Sequence, residues 1–452
     1  MKLTFLGGVG TVTGSKFILD APGRRIMVDC GLFQGFKQLR LRNWDKLPID
    51  PAGIDSVVIT HAHLDHSGYL PLLVRNGFKG RVHVTKATAD LLQILLMDSA
   101  YLAEREAGYA NRRGFSKHSP AQPLYTQKDA EAALEHLSSV DFEQPVSLGN
   151  GVTLRLRPAG HILGAAIAEI AAGGRIIVFS GDLGRKGDAI LHDPARIAEA
   201  DVLLVESTYG DRAHLDDDPE DALADLIART SARGGTVLIP AFAVGRTQTL
   251  LYHLHRLKQA GRIPNLPIFL DSPMAMDATD IFCRHPADHR LSEDKACAAC
   301  AVARYVRTVE DSKALDHNSM PSVIISASGM ATGGRIVHHL KHYAPDPRTT
   351  ILFAGFQAGG TRGAAMVAGA TEIKIHGAYV PVKAEIAHLD MLSAHADADG
   401  ILDWLGGFKR PPQHTYVIHG EPAGADALRH RIEEELGWRC SVPEYRDTVE
   451  VG

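Results

Sequence analysis

A chain of 452 residues, 45% hydrophobic and 22% charged, is long enough for about two or three domains and has the make-up of an ordinary globular protein with a large core. Its 48 Lys and Arg stand against 53 Asp and Glu, a net charge of -5, which excludes a generally basic nucleic-acid binder; any polyanion site has to be a local basic cleft. No run approaches the roughly 18 uninterrupted apolar residues of a membrane span, and the start, Met1 to Gly8, is too short and Gly-rich for a signal peptide, so no membrane partner and a cytoplasmic location are expected.

In chain order, Lys2 to Leu6, Ser15 to Asp20, Arg25 to Asp29 and Ser56 to Thr60 read as strands separated by turns. Residues 86 to 140 read as mostly helical, with a basic, Pro-punctuated loop from Arg112 to Pro123. A second set of strands follows at Val152 to Leu156, Ala165 to Ile170, Arg175 to Ser180 and Asp201 to Glu206. From about residue 218 the text changes to longer helices alternating with single apolar strands: a helix to Arg233, strand Thr236 to Pro240, helix Arg246 to Ala260 and strand Pro267 to Leu270. Strand Ser322 to Ser326, helix Gly334 to Tyr343 and strand Thr349 to Ala354 repeat the pattern, which predicts parallel β-α-β units and a Rossmann-like domain. From about 386 the text returns to strand plus helix, so the second domain reads as inserted within the first. The five cysteines, Cys30, Cys283, Cys297, Cys300 and Cys440, are few and odd in number, as suits free thiols in a reducing compartment. Without a second Cys or His pair nearby, Cys297 and Cys300 read as ordinary helix residues and not as a zinc site.

The strongest chemical signal is His61-Ala62-His63-Leu64-Asp65-His66, directly after the apolar strand Val57 to Thr60. Alternate positions of an extended turn point the same way, so His61 and His63 can share one ion while Asp65 and His66 turn to a neighbouring one. A dinuclear site needs further donors and a bridging carboxylate, and imidazole with carboxylate suits zinc. His161, in Ala159-Gly160-His161 after a strand, and Asp182, after Ile177 to Gly181, are candidates.

Together HAHLDH, AGHILGA and FSGDLG resemble the metallo-β-lactamase superfamily. The resemblance implies a layered αβ/βα fold with two Zn²⁺ ions: His61, His63 and His161 on one, Asp65 and His66 on the other, and Asp182 bridging. Asp29, in Met27-Val28-Asp29-Cys30-Gly31, matches an early aspartate that supports the ligand loop. Three further stretches, Glu206-Ser207-Thr208-Tyr209-Gly210-Asp211, Ser393-Ala394-His395-Ala396-Asp397 and His419-Gly420-Glu421, are similar to the extra motifs of the β-CASP nuclease branch. That likeness spans essentially the whole chain and implies an α/β fold class: a metallo-β-lactamase sandwich, 1–209 and 386–452, with an inserted Rossmann-like β-CASP domain, 210–385.

Within that branch, His419 would complete the second zinc site, and His395 would stand near the leaving oxygen with Glu206 holding its ring. Asp65 would serve catalysis as well as metal binding. A histidine can protonate a departing ribose oxyanion near neutral pH, and a carboxylate on its other nitrogen fixes the tautomer. The Gly-rich turns that precede two helices expose backbone amides to phosphate, to which Arg246, Ser328, Gly329 and Arg335 could add contacts. Arg335, His338, His339, Lys341 and His342 are expected to share a basic helix face. The expected activity is endonucleolytic hydrolysis of single-stranded RNA that leaves 5′-phosphate and 3′-hydroxyl ends, and a homodimer is compatible with the sequence. The rival readings are a small-molecule thioester or lactone hydrolase of the same fold, a catalytically dead RNA-binding scaffold, and a 5′-to-3′ exoribonuclease. The chain is read as lacking the C-terminal domain of ribonuclease J and the leading KH modules of archaeal relatives, which counts against the exonuclease.

Overall fold

The computed structural model of the protein describes residues 1–114, 118–214, 218–318 and 320–451 and divides into two compact units. One gathers Met1–Asp188, His192–Ala213 and His395–Gly452; the other holds Ala189–Leu191 and His214–Ala394.

Two seven-stranded sheets build the first unit. One runs Thr448–Glu450, Lys2–Gly7, Lys16–Ala21, Arg24–Val28, Ser56–Val58, Arg81–Thr85, Leu137–Val140; the other runs Cys440–Ser441, His414–Ile418, Val202–Glu206, Arg175–Phe179, Ala166–Ala172, Val152–Pro158, Val146–Gly149. Period-two patterning explains why they stack. Leu3, Phe5, Ile26 and Val28 from the first sheet meet Leu154, Leu156, Ile177, Phe179 and Leu204 from the second in one fully buried core. Helices cover the outer faces. Lys86–Arg113 packs on Arg81–Thr85 and Leu137–Val140, and Pro422–Leu436 on His414–Ile418 and Cys440–Ser441, which completes the αβ/βα layering expected from the sequence.

Register decides where chemistry collects. Arg175–Phe179, Val202–Glu206 and His414–Ile418 are parallel neighbours, with Phe179 opposite Leu204 and Glu206 opposite Ile418. Their C-terminal ends therefore deliver Asp182, Glu206 and His419 to one sheet edge. In the other sheet Arg24–Val28 and Ser56–Val58 are parallel with Val28 opposite Val58, so Asp29 and the run from Thr60 to His66 also leave from one edge. Loops at the carboxyl ends of parallel strands are where an open α/β sheet presents its reactive groups.

The second unit has a six-stranded, all-parallel sheet in the order Arg304–Tyr305, Ile268–Leu270, Val323–Ser326, Val237–Pro240, Thr350–Ala354, Glu385–Leu389. Apolar helix residues close both faces. Leu223, Ile227, Leu250 and Leu254 are buried in one cluster, and Ile336, Val337 and Leu340 in another. This is the doubly wound arrangement that alternating helices and buried strands predict.

Four local readings differ. Lys86–Arg113 runs into the expected basic loop Arg112 to Pro123 and ends at Gly114, whose φ of 64° stops the helix; positions 115–117 of that loop lie outside the described residues. Leu137–Val140 is an edge strand within the stretch read as mostly helical. Ser56–Val58 stops two residues early, because Thr60 turns to Asp29. Glu385–Leu389 pairs with Thr350–Ala354, so the text after 386 begins in the second unit's sheet; a strand pattern does not say which sheet receives it.

Candidate metal centre

Seven side chains converge in the first unit. His61 Nε2 and His161 Nε2 each lie 3.2 Å from His63 Nδ1, and Asp182 Oδ2 lies 3.4 Å from His61 Nε2 and 3.5 Å from His161 Nε2. Beside them, His66 Nε2 is 3.0 Å from His419 Nε2, which is 3.5 Å from Asp65 Oδ2. Asp182 turns its other oxygen, Oδ1, to within 3.2 Å of His66 Nε2. The donors of His61, His63, His161 and Asp182 lie within 4.8 Å of one another, and so do those of Asp65, His66 and His419. One carboxylate thus faces both groups.

The surrounding hydrogen bonds fix which nitrogen each ring presents. Thr60 has one hydroxyl proton, given to Asp29 Oδ2 at 3.0 Å, so at 3.1 Å it accepts from His61 Nδ1 and leaves the Nε2 lone pair facing inward. Thr208 repeats the device: its hydroxyl donates to the His419 carbonyl at 3.3 Å and accepts from His419 Nδ1 at 3.1 Å. His66 Nδ1 donates to Asp29 Oδ2 at 2.7 Å, and Asp29 Oδ1 accepts the Thr60 amide at 2.8 Å. Asp29 thus binds Thr60 and His66 together from behind the ligand loop.

Close backbone approach holds the loop. Cys30 N donates to His66 O at 2.7 Å and Leu32 N to Leu64 O at 2.8 Å. A Cβ on Gly31 would lie 1.6 Å from the Asp65 carbonyl, so only glycine passes there. Asp65 and His66 sit on a helical turn, Leu64–Ser67, which carries them toward His419 while the His66 ring stays 4.1 Å from that of His61 on the extended segment before it. Sequence reasoning passed over Thr60, Thr208 and Lys16, whose buried ammonium donates to Gly31 O at 2.5 Å and is lowered by burial to about 8. A hydroxyl or a lysine beside a metal motif carries no spacing rule that would single it out.

Electrostatics matches the donor geometry. Burial, reinforced by neighbouring imidazoles, holds His61 and His161 well below the usual histidine range, so both are neutral with lone pairs available. Burial alone would raise the Asp182 carboxyl, but the rings of His419, His66 and His61 hold it well below its usual range. Burial lowers His61, His63 and His161 alike, and their nitrogens, facing one another at 3.2 Å, lack enough protons to bond them all, whereas a divalent cation satisfies every lone pair at once. Five imidazoles and two carboxylates, four donors to each group when Asp182 is shared, fit two zinc-like ions.

His395 stands beside this array without joining it. Its Nδ1 is 3.0 Å from Glu206 Oε1 and 3.2 Å from Oε2, and its ring centroid lies 4.3 Å from that of His161. Glu206 is fully buried and pinned by the Leu183 amide at 2.7 Å and the Thr208 amide at 3.2 Å. Burial opposes a charge on His395, yet Glu206 and then Asp182 outweigh it and raise the ring above the usual histidine range.

The candidate phosphate residues all lie in the second unit, where the structure gives them packing roles. Arg246 is buried, and its guanidinium fills the space over Gly355. Ser328 Oγ accepts the Thr332 amide at 3.1 Å, and a Cβ on Gly329 would meet the Phe242 amide at 2.9 Å. Arg335 corrects the sequence reading: Nη1 binds Asp271 Oδ1 at 2.5 Å and Val306 O at 2.9 Å, and Nη2 binds Arg307 O at 2.8 Å. His339 likewise leaves the expected basic face, bridging Asp271 Oδ2 at 2.6 Å and Asp316 Oδ1 at 2.7 Å in the interior. Asp271→Ala should therefore destabilise the second unit by about 3 kcal/mol in urea unfolding, because it strands the buried His339 and takes the carboxylate from the half-buried Arg335. Burial would lower His339, but Asp271 and Asp316 raise it from 6.5 to about 9. Its stabilisation is thus complete below pH 6.5 and fades as pH rises through about 9, so the parent should lose stability across that window more steeply than Asp271→Ala; a variant midpoint equal to the parent's throughout contradicts the network.

Comparison with known proteins bears on both units. Family profiles match at residues 24–234 (beta-lactamase superfamily domain), 247–366 (Beta-Casp domain) and 379–443 (Zn-dependent metallo-hydrolase RNA specificity domain). The chain is 37% identical to Ribonuclease TTHA0252 of Thermus thermophilus, covering 93% of each. It is 31% identical to Transcription termination factor FttA of Methanocaldococcus jannaschii, covering all of this chain and 72% of that one, and 31% identical to its namesake in Methanosarcina mazei, covering 96% and 69%. A solved structure from Enterococcus faecalis V583, of a protein of unknown function, superposes with a TM-score of 0.54 at 13% identity over 99% of both chains, a likeness of fold.

Proposed function

The chain belongs to the β-CASP branch of the metallo-β-lactamase superfamily, and from that premise we propose that it is a two-zinc ribonuclease that cuts single-stranded RNA internally, leaving 5′-phosphate and 3′-hydroxyl ends. The observation that carries the reading is Asp182, whose two oxygens face two separate donor groups while the His395–Glu206 pair stands at their side. Bound divalent ions would supply Lewis-acid polarisation of a phosphate oxygen and a water acidic enough to attack phosphorus.

The residues of the chain supply the rest. His61, His63, His161 and Asp182 would hold one ion, and Asp65, His66 and His419, with Asp182 within reach, would hold the other. Asp29, Thr60 and Thr208 keep the ring tautomers in which those nitrogens can ligate. Glu206 holds Nδ1 of His395, so that Nε2 gives its proton to the departing 3′-oxygen. Attack by water, in place of the neighbouring 2′-hydroxyl, leaves phosphate on the 5′ side of the downstream fragment and avoids a cyclic product. Apart from His63 and Asp65 the donors are nearly buried, a depth that a flexible strand can reach by folding one phosphate inward. An A-form duplex keeps its phosphates on a rigid cylinder.

Incubating 5′-labelled RNA with and without chelator tests this. Internal fragments are expected, lost with chelator and restored by zinc, and a 2′-deoxy substitution at the cut site should still be cleaved. Release of single nucleotides from the 5′ end would replace the endonuclease by an exonuclease, and chelator-resistant cutting would remove the metal from the reaction.

A further inference from the structure

The second unit holds a thiol cluster that the metal centre does not use. Cys283 is the penultimate residue of Pro273–Arg284, and Cys297 and Cys300 lie three apart, on one face of Glu293–Cys300, which packs against that helix. Cys283 Sγ and Cys300 Sγ are 3.3 Å apart, and Tyr305 Oη fixes the end of the second helix by donating to the Cys300 carbonyl at 3.0 Å. Cys297 is exposed, while the other two are half-buried. Among the described residues, the donor groupings close enough to share an ion all lie in the first unit, so these sulfurs are read as thiol chemistry.

We propose that Cys283 and Cys300 form a reversible intramolecular disulfide, with Cys283 the residue that reacts first with hydrogen peroxide. The sulfurs have to close only from 3.3 Å to a bond of about 2.05 Å, between helices already in contact. In the first step the Cys283 thiolate attacks the peroxide; the O–O bond breaks, sulfur takes one oxygen to become a sulfenic acid, and water leaves after protonation. In the second, the Cys300 sulfur displaces that hydroxyl, the S–S bond forms and a second water departs. The peroxide is reduced and the two thiols are oxidised, which balances the electrons.

The order of reaction follows from the thiols themselves. The hydrogen bond from Cys300 lowers Cys283 to about 7 against burial, and the bond from Cys297 adds to it; Asp280, a turn earlier, pushes the other way. Cys300 is raised as the donor in the same pair, so it stays protonated and waits. Cys30 and Cys440 are buried, and burial holds both near 12, so they serve as internal controls that stay reduced while the protein is folded.

The test uses the full-length, fully reduced protein: treat it with hydrogen peroxide, alkylate, digest and map the thiols by mass spectrometry. A Cys283–Cys300 linked peptide is expected, two hydrogens lighter than the reduced pair and reversed by dithiothreitol. Cys283→Ser should slow thiol loss in the cluster by about tenfold. Cys300→Ser should instead leave a sulfenic acid on Cys283 that dimedone captures, and Cys297→Ser should keep the link. Continued protection of Cys30 and Cys440 confirms that each variant is folded. A dominant Cys297–Cys300 link, or Cys283→Ser oxidising as fast as the parent, overturns the proposal.

Discussion

Asp182→Asn should lower cleavage of RNA by on the order of 10³-fold or more and reduce the zinc bound per chain. The side chain keeps its shape but loses its charge and one of two acceptor oxygens, and in the structure both are in use: Oδ2 faces His61 and His161, Oδ1 faces His66. Loss of one oxygen should uncouple the two donor groups, whereas loss of an ordinary ligand such as His63 should weaken one of them. Metal content by plasma mass spectrometry, read beside the rate, separates these outcomes. The fold itself should survive, because the core between the sheets is built from Leu, Ile, Val and Phe and owes nothing to Asp182. Asp29→Ala, one bond further out, should cost about 10–100-fold in metal affinity, since it releases the His66 ring and the Thr60 hydroxyl together. A full complement of zinc and an unaltered rate in Asp182→Asn would remove the bridging carboxylate, and with it the two-ion reading.

How far the sequence carried varies with the kind of signal. His61, His63, Asp65 and His66 were legible because they lie within six residues after an apolar strand, and a local pattern survives folding. His161, Asp182 and His419 are each alone in sequence; only strand ends and family likeness pointed to them, and parallel register is what brings Asp182, Glu206 and His419 to one edge. Thr60 and Thr208 were not legible at all, since a hydroxyl that selects a tautomer is defined by the ring it meets. Arg335 and His339 were misread for the converse reason. A polar helix face looks solvated until Asp271, more than sixty positions away, is placed against it. Cys297 and Cys300 gave no zinc signal, and the partner that makes them a cluster, Cys283, stands on a different helix. Helix text also hid Leu137–Val140, a four-residue edge strand with two serines, too short to show an alternation.

The second large effect separates acid catalysis from metal binding. His395→Ala should slow cleavage by about 10²–10⁴-fold while the protein keeps its full metal content, because the ring contacts Glu206 and lies outside both donor groups. Glu206→Gln should cost less than His395→Ala, since the amide can still hold Nδ1 through its oxygen but no longer supports a positive ring. A slow variant by itself does not reveal why it is slow, so the leaving group is the informative variable. An RNA with sulfur in place of the 3′-bridging oxygen at the cut site departs as a thiolate, which needs no proton. If His395 delivers that proton, the sulfur substrate should restore most of the rate lost in His395→Ala and none of that lost in Asp182→Asn. Equal defects on both substrates would mean that His395 only shapes the pocket beside His161, and the proton would have to come from elsewhere.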